Sequence, residues 1–407
     1  MTPGALALGA VLAVVSTFPA MELGGPPAVV AVYVLLGAAA LAVPHVRVPR
    51  WVLPGLVAVV AVGLVAAFVV GPPSWVPGVG SDRADALDVA LSRLAGGLYP
   101  WTGVTYLGNP ITPLPGSLVL AAPFWAVTGH AAGQNVAWTL ALLPVLNGGW
   151  RLRRVPTLLW VLVVITPEVL REYLVGDDLV TSVVPAVAAA AWVLRARSIP
   201  FLTAGAVALG VATCTRPHLA LVVVIVAVGV ALRAGDGSKA SLLAPSASND
   251  ASLPDEGGVS VRHGLLVGGV AALTWAALIV PFLLGGAERF SPLHVGAKVT
   301  GERGLHLGIV VIALAALGLL VALLVRLRPT SDAALGWCAA AVLVAPTVLS
   351  AGFWLLVTGS VWQADLTLGA GAIPFAAWAL ARSRGEDPSA LVARGVPSRR
   401  RRRAVGA

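Results

Sequence analysis

Residues 71–115 read GPPSWVPGVGSDRADALDVALSRLAGGLYPWTGVTYLGNPITPLP, the longest polar interruption early in an otherwise apolar chain. Around it lie runs near the 17 to 25 residues needed to cross a hydrocarbon core about 30 Å thick. Three precede it, at roughly 5–20, 27–43 and 51–70. Nine follow, at roughly 134–150, 155–170, 179–194, 199–213, 218–232, 264–284, 306–325, 333–350 and 365–381. The expected fold is therefore an all-α polytopic membrane protein of about twelve transmembrane helices.

Composition agrees. A hydrophobic fraction of 58% with 11% charged residues and a mean hydropathy of +0.91 exclude a water-soluble domain, whose surface calls for roughly 25% charged residues. The net charge of +9 does not point to nucleic acid, because the basic residues stand in short clusters beside apolar runs, the pattern that sets membrane orientation. Cys214 and Cys338 lie in separate apolar runs, which supports neither a disulfide nor a thiolate metal site. The first run has no Lys or Arg before it and is followed at once by another, so it reads as a retained span and not a cleaved leader.

The clusters Arg47/Arg50, Arg151/Arg153/Arg154, Arg195/Arg197, Arg233/Lys239, Arg326/Arg328 and Arg382/Arg384 are expected on the cytoplasmic side. Twelve spans with both termini inside put all of them there. The parity requires 116–129, a short segment with Pro115 at its start and Pro123 within, to be re-entrant or juxtamembrane and not a crossing. The outer surface then carries 71–115, Arg171 to Asp178, Thr215 to His218 and the loop at 285–305. The chain divides into an N-terminal transmembrane module over 1–233, a Gly/Ser/Asp/Pro-rich flexible cytoplasmic linker over 234–262, C-terminal transmembrane helices over 263–384 and a basic cytoplasmic tail over 385–407.

Within the first outer loop, Leu87, Leu91, Leu94 and Leu98 recur at helical spacing while Asp85, Asp88 and Ser92 fall on the opposite face, the pattern of an interfacial helix. Ser81 or Asp82 can cap its start. The Gly96-Gly97-Leu98-Tyr99-Pro100-Trp101 run after it can fold the chain back over the aspartates. Trp75, Trp101, Trp125 and Trp362 read as interface anchors first and sugar-stacking platforms second.

The order of span, outward loop, Asp-bearing helix, Gly-Leu-Tyr-Pro and a Pro-punctuated apolar segment resembles the first external loop of the glycosyltransferase C superfamily, nearest to its mannosyltransferase-like members. Asp85, Gly97, Tyr99 and Pro100 take the matching positions, Asn109, Pro110 and Pro115 begin the next segment, and Thr215-Arg216-Pro217 is similar to an external Lys/Arg-Pro turn of that family. The acidic pairs here are Asp82/Asp85 and Asp85/Asp88 where many members have adjacent acids, and three spans precede the loop where most members have one.

The resemblance implies an integral membrane glycosyltransferase that takes a sugar, such as mannose or an arabinose-like pentose, from a polyprenyl-phosphate donor. The acceptor would be a lipid-linked or cell-wall glycan or a glycolipid, at the outer face of the plasma membrane. Asp85 would serve as general base, with Asp88 and Asp82 behind it. Arg216 would meet the charge on the leaving phosphate, and Tyr99, Trp101, Asn109, Arg171 and Lys298 would line the substrate site. Asp177 and Asp178 could bind a divalent cation, although capping the helix at Leu179 is the competing role; no metal is assigned to the scattered histidines, and that divalent cation is the one cofactor the reading allows. A secondary transporter of a small polar solute and a non-catalytic membrane scaffold are the alternatives.

Overall fold

A computed structural model of the chain describes residues 3–70, 82–242, 257–294, 307–358 and 366–383. The described residues are all helical in class, with 81% of them in helices. An isolated bridge between Val104 and Pro110 is the nearest thing to a strand among the described residues.

The helices are α1 (Pro3–Val15), α2 (Thr17–Ala42), α3 (Val52–Val70), α4 (Asp82–Ala95), α5 (Pro115–Thr128), α6 (Gly133–Asn147), α7 (Arg154–Val164) and α8 (Pro167–Val175). They continue as α9 (Val184–Val193), α10 (Ile199–Thr213), α11 (Ala220–Leu242), α12 (Gly257–Leu284), α13 (Leu307–Leu327), α14 (Asp332–Thr358) and α15 (Ala372–Ser383). Helices α5, α8, α9 and α10 each carry Pro in the first turn, where the missing N–H would have no partner inside the helix.

Three stretches are long and apolar enough to cross a membrane: Pro19–Ala42, Val52–Val69 and Val261–Leu284. In each, only 11% of the most hydrophobic window is buried inside the protein. Val59, Val62 and Val69 on α3 and Leu265 and Leu273 on α12 point outward, all about 70% exposed. A surface of bare Val and Leu on this scale suits lipid and not water.

Several expected spans are cut short. The run at 155–170 is broken where Pro167 lacks an N–H and holds Thr166 extended (φ −61°, ψ 132°), which ends α7 after 11 residues and starts α8 as a separate short helix. The run at 179–194 opens with a 3-10 turn, Thr181–Val183, and leaves ten residues to α9. Conversely, α2 is two helical arms that turn back on each other at Gly24 and Gly25, the latter at φ 66°. The contact of Thr17 Oγ1 with Tyr33 Oη at 2.6 Å lays the second arm along the first, and the close approach of Gly9 to Gly37 and Ala40 lays it along α1. Helix α11 reaches Leu242 and α12 begins at Gly257, so both ends of the 234–262 segment are helical; residues 243–256, the loop start at 71–81 and the tail from 384 lie outside the described residues.

Polar loops gather at two ends. At one, the α2 bend contacts α8 through Glu22 and Arg171 (3.6 Å), α4 contacts the α8–α9 turn through Arg83 and Asp177 (2.8 Å), and Tyr99 reaches the end of α12 at Phe282 (2.8 Å). At the other, Arg382 donates to Val145 O at 2.9 Å, and Arg233 pairs with Asp332 at 2.6 Å. No ion pair among the described residues joins the two sets.

The main core runs through α1, α6, α7, α9, α10 and α15, with Trp160, Phe375 and Trp378 fully buried. A satellite core sits at the aspartate end, where Leu87, Leu91, Trp101, Ile111, Leu118 and Phe290 pack together. The α4 periodicity holds for Leu87 and Leu91, but Leu94 and Leu98 are 43% and 54% exposed, because the stripe runs off the end of the neighbour it packs against.

Helix α5 is the expected short segment. Its start is fastened to the α10–α11 turn: Gly116 N donates to Cys214 O at 2.9 Å and Ser117 Oγ to Thr215 O at 3.1 Å. A side-chain carbon on Gly116 would fall 2.4 Å from the carbonyl oxygens of both Val211 and Cys214. Gly116→Ala is therefore expected to destabilise the fold by about 1–3 kcal/mol, read as a lowered thermal midpoint of the detergent-solubilised protein; an unchanged midpoint would contradict the close approach.

Candidate functional site

The three aspartates of α4 share a helix and part company in what they touch. Asp82 Oδ2 accepts from Asn109 Nδ2 at 2.9 Å, and Asp85 Oδ2 accepts the Tyr106 N–H at 2.7 Å, so both hold the tip of the loop over the helix. Asp88 has both oxygens engaged: Oδ1 accepts the Ala131 N–H at 2.7 Å and Oδ2 lies 3.4 Å from His130 Nδ1. Asp88 thus fixes the turn leading into α6. Burial nonetheless raises its carboxyl above the ordinary value, against the lowering pull of Ala131 and His130. The second oxygen of Asp85 carries no bond among the described residues.

The α8–α9 turn is the hub of this end. Gly176, at φ 75°, closes α8 with a left-handed residue and swings the chain so that Asp177 and Asp178 follow at once. Asp177 pairs with Arg83 of α4, and Asp178 makes a close ion pair with Arg216 Nη2. Asn135 Nδ2 donates to Asp177 O, and Thr181 Oγ1 donates to Asn135 Oδ1, both at 2.7 Å. Arg216 Nε also faces Ser182 Oγ at 3.5 Å, and its Nη1 has no partner among the described residues. The guanidinium is held from one side and open on another.

The two carboxylates therefore diverge toward different arginines and do not converge on a common point. No three His, Cys, Asp or Glu side chains are placed to share a metal ion among the described residues.

The segment from Arg171 to Asp178 was expected at the outer surface, with Arg171 lining the substrate site. Arg171 lies 3.8 Å from Glu168 and reaches Glu22, partly exposed. Glu172 and Tyr173 turn inward instead and are 1% and 7% exposed; Glu168, not singled out in the sequence, is fully buried. Glu172 Oε2 accepts the Val180 N–H at 2.8 Å, and Oε1 is buried without a hydrogen-bond partner. The legible signal was the spacing: Glu168 and Glu172 stand four apart, on one face of a helix with Val169. Arg83, Asn135, Thr181 and Ser182 carried no signal, since their roles depend on partners tens of residues away.

The aromatic expectations change most. Trp101 is 3% exposed, donates Nε1–H to Pro113 O at 2.9 Å, and packs edge-to-face on Phe282 and Phe290 with centroids 4.6 and 4.7 Å away. It is neither an interface anchor nor an open stacking face. Tyr99 uses its hydroxyl to hold Phe282 O and lies 5.8 Å from Trp101. Both order the loop, whose large apolar rings had no other place to hide from solvent. Trp125 is half-buried against the same cluster. Lys298, Trp75 and Trp362 lie outside the described residues.

The cavities described lie away from Asp85 and Arg216: about 490 Å³ at the arginine-rich end, about 660 Å³ between α11 and α12, and about 650 Å³ beside Trp192 and Phe201. Arg83, on the same helix as Asp85, is linked instead to Arg216 through the adjacent Asp177 and Asp178. Comparison with protein-family models, curated proteins and solved structures finds no match for this chain.

Burial, with Asp177 and Glu168 close by, holds the Glu172 carboxyl well above the ordinary range. A group raised on folding lends its stability at low pH and loses it as pH climbs through the raised value. The thermal midpoint of Glu172→Gln minus that of wild type is therefore expected to grow as pH rises above about 4.3. A difference that stays flat with pH would show the group to be ionised in the fold.

Proposed function

We propose that the chain crosses the membrane about twelve times with its arginine-rich end cytoplasmic, and that its aspartate end is the active site of a polyprenyl-phosphate-dependent glycosyltransferase of the C type. The observation that carries this reading is the ion-pair chain from Arg83 through Asp177 and Asp178 to Arg216. It brings the helix bearing Asp85 and the turn bearing the open guanidinium to one end of the bundle. The separation of contacts into two ends supports the orientation, because among the described residues the loops assigned to one side touch loops assigned to the same side.

In this mechanism Asp85 takes the proton of an acceptor hydroxyl as its oxygen attacks the anomeric carbon. The new carbon–oxygen bond forms while the bond from the anomeric carbon to the donor phosphate breaks, and its electron pair leaves with the phosphate. Arg216 Nη1 meets that charge, while Asp178 and Ser182 keep the guanidinium in position. Asp85 suits the base better than Asp88, whose oxygens are both engaged. Asn109 and Tyr106 hold the loop that covers the aspartates. The sugar acceptor is a hydroxyl of a lipid-linked or cell-wall glycan.

The buried acids Glu168 and Glu172 favour a second reading, a transporter in which a protonated carboxyl moves with a solute. The two separate cleanly. Asp85→Asn is expected to lower sugar transfer from polyprenyl-phosphate donors by about 10²- to 10⁴-fold while leaving expression and thermal midpoint unchanged, and Asp88→Asn to act mainly on stability. Transfer at the wild-type rate by Asp85→Asn would remove the base assignment; solute counterflow in proteoliposomes with no donor consumed would favour the transporter.

A further inference from the structure

At the arginine-rich end, the cavity of about 490 Å³ opens between the α2–α3 loop, the α6–α7 loop and the end of α15. Arg50, Arg153 and Arg154 line it beside Val48, Leu152 and Val155. Among the described residues none of these arginines has a carboxylate within ion-pair distance, whereas Arg233 on the same end is matched by Asp332. Positive charge is also concentrated there by the backbone. Arg153 Nη2 donates to Asn147 O and Arg382 Nη2 to Val145 O, where the carbonyls ending α6 carry partial negative charge. Both guanidiniums crowd the space left by Gly148: a Cβ there would fall 2.8 Å from Arg382 Nη1 and 3.1 Å from Arg153 Nη2.

Such a cavity selects an anion, and its surroundings say which kind. Trp51 and Trp150 flank the two loops that line it, and they are 81% and 87% exposed. Indoles left bare beside apolar helices mark the headgroup level of a bilayer. An arginine pocket between helices at that level takes the phosphate of a lipid.

We infer that the cavity of Arg50, Arg153 and Arg154 is a binding site for the headgroup of an anionic phospholipid. The inference rests on the bilayer reading and is independent of sugar transfer, so an inactive transferase would leave it standing.

The full-length protein in neutral detergent is titrated with phosphatidylglycerol, phosphatidylcholine or inorganic phosphate, followed by native mass spectrometry and by thermal midpoint. Phosphatidylglycerol is expected to bind and raise the midpoint where the other two do not. Arg50→Gln with Arg154→Gln, whose side chains make no described bond, is expected to weaken binding roughly 30-fold, about fivefold for each charge removed near a membrane surface. Arg50→Gln alone, in a loop, gives the fivefold step if the double variant does not fold. Arg326→Gln with Arg328→Gln, exposed at the same end but outside the cavity, is expected to bind within twofold of wild type. Equal response to both lipids, the same effect from inorganic phosphate, or an equal loss in the control pair would each overturn the site.

Discussion

Arg83 with Asp177 and Arg216 with Asp178 are the contacts on which the aspartate end depends. A charge withdrawn from water is tolerated only when an opposite charge and hydrogen bonds replace the solvent, and here one two-residue turn supplies both. Because Asp177 and Asp178 are adjacent and point apart, they tie α4 and the α10–α11 turn to the same few atoms of backbone. The rest of that end follows. With α4 held, its aspartates can close the loop tip through Tyr106 and Asn109; with the turn held, Gly116 can approach it closely enough for α5 to start against it.

Identical spacing did not give the α4 aspartates identical roles. Asp82, Asp85 and Asp88 lie three residues apart on one face, and what divides them is the segment that each meets. Asp88 meets the turn before α6 and has both oxygens engaged there. Asp85 meets a single N–H and keeps an oxygen in reserve.

What could be read in the sequence was the part set by local rules. The period of Leu87 and Leu91 gave α4, Pro115 marked the start of α5, and arginine clusters picked out loops that meet at one end. The break at Thr166–Pro167 obeyed a local rule too, yet hydropathy ran straight across it because Ile165 and Val169 are apolar on either side. The spacing of Glu168 and Glu172 put them on one face of α8, but whether that face is buried was not legible. A carboxyl is buried or exposed according to neighbours supplied by distant parts of the chain, and no window of sequence contains both. Trp101 failed for the same reason, since its packing partners, Phe282 near the end of α12 and Phe290 just beyond it, lie far along the chain.

The burial of the acidic turn has an electrostatic result. Asp177 and Asp178 are 7% and 4% exposed, so little solvent reaches the carboxylates that Arg83 and Arg216 face. Coulombic attraction strengthens as permittivity falls, and dissolved ions screen buried pairs much less than exposed ones. The join between α4 and the α10–α11 turn therefore resists salt that would loosen a surface pair.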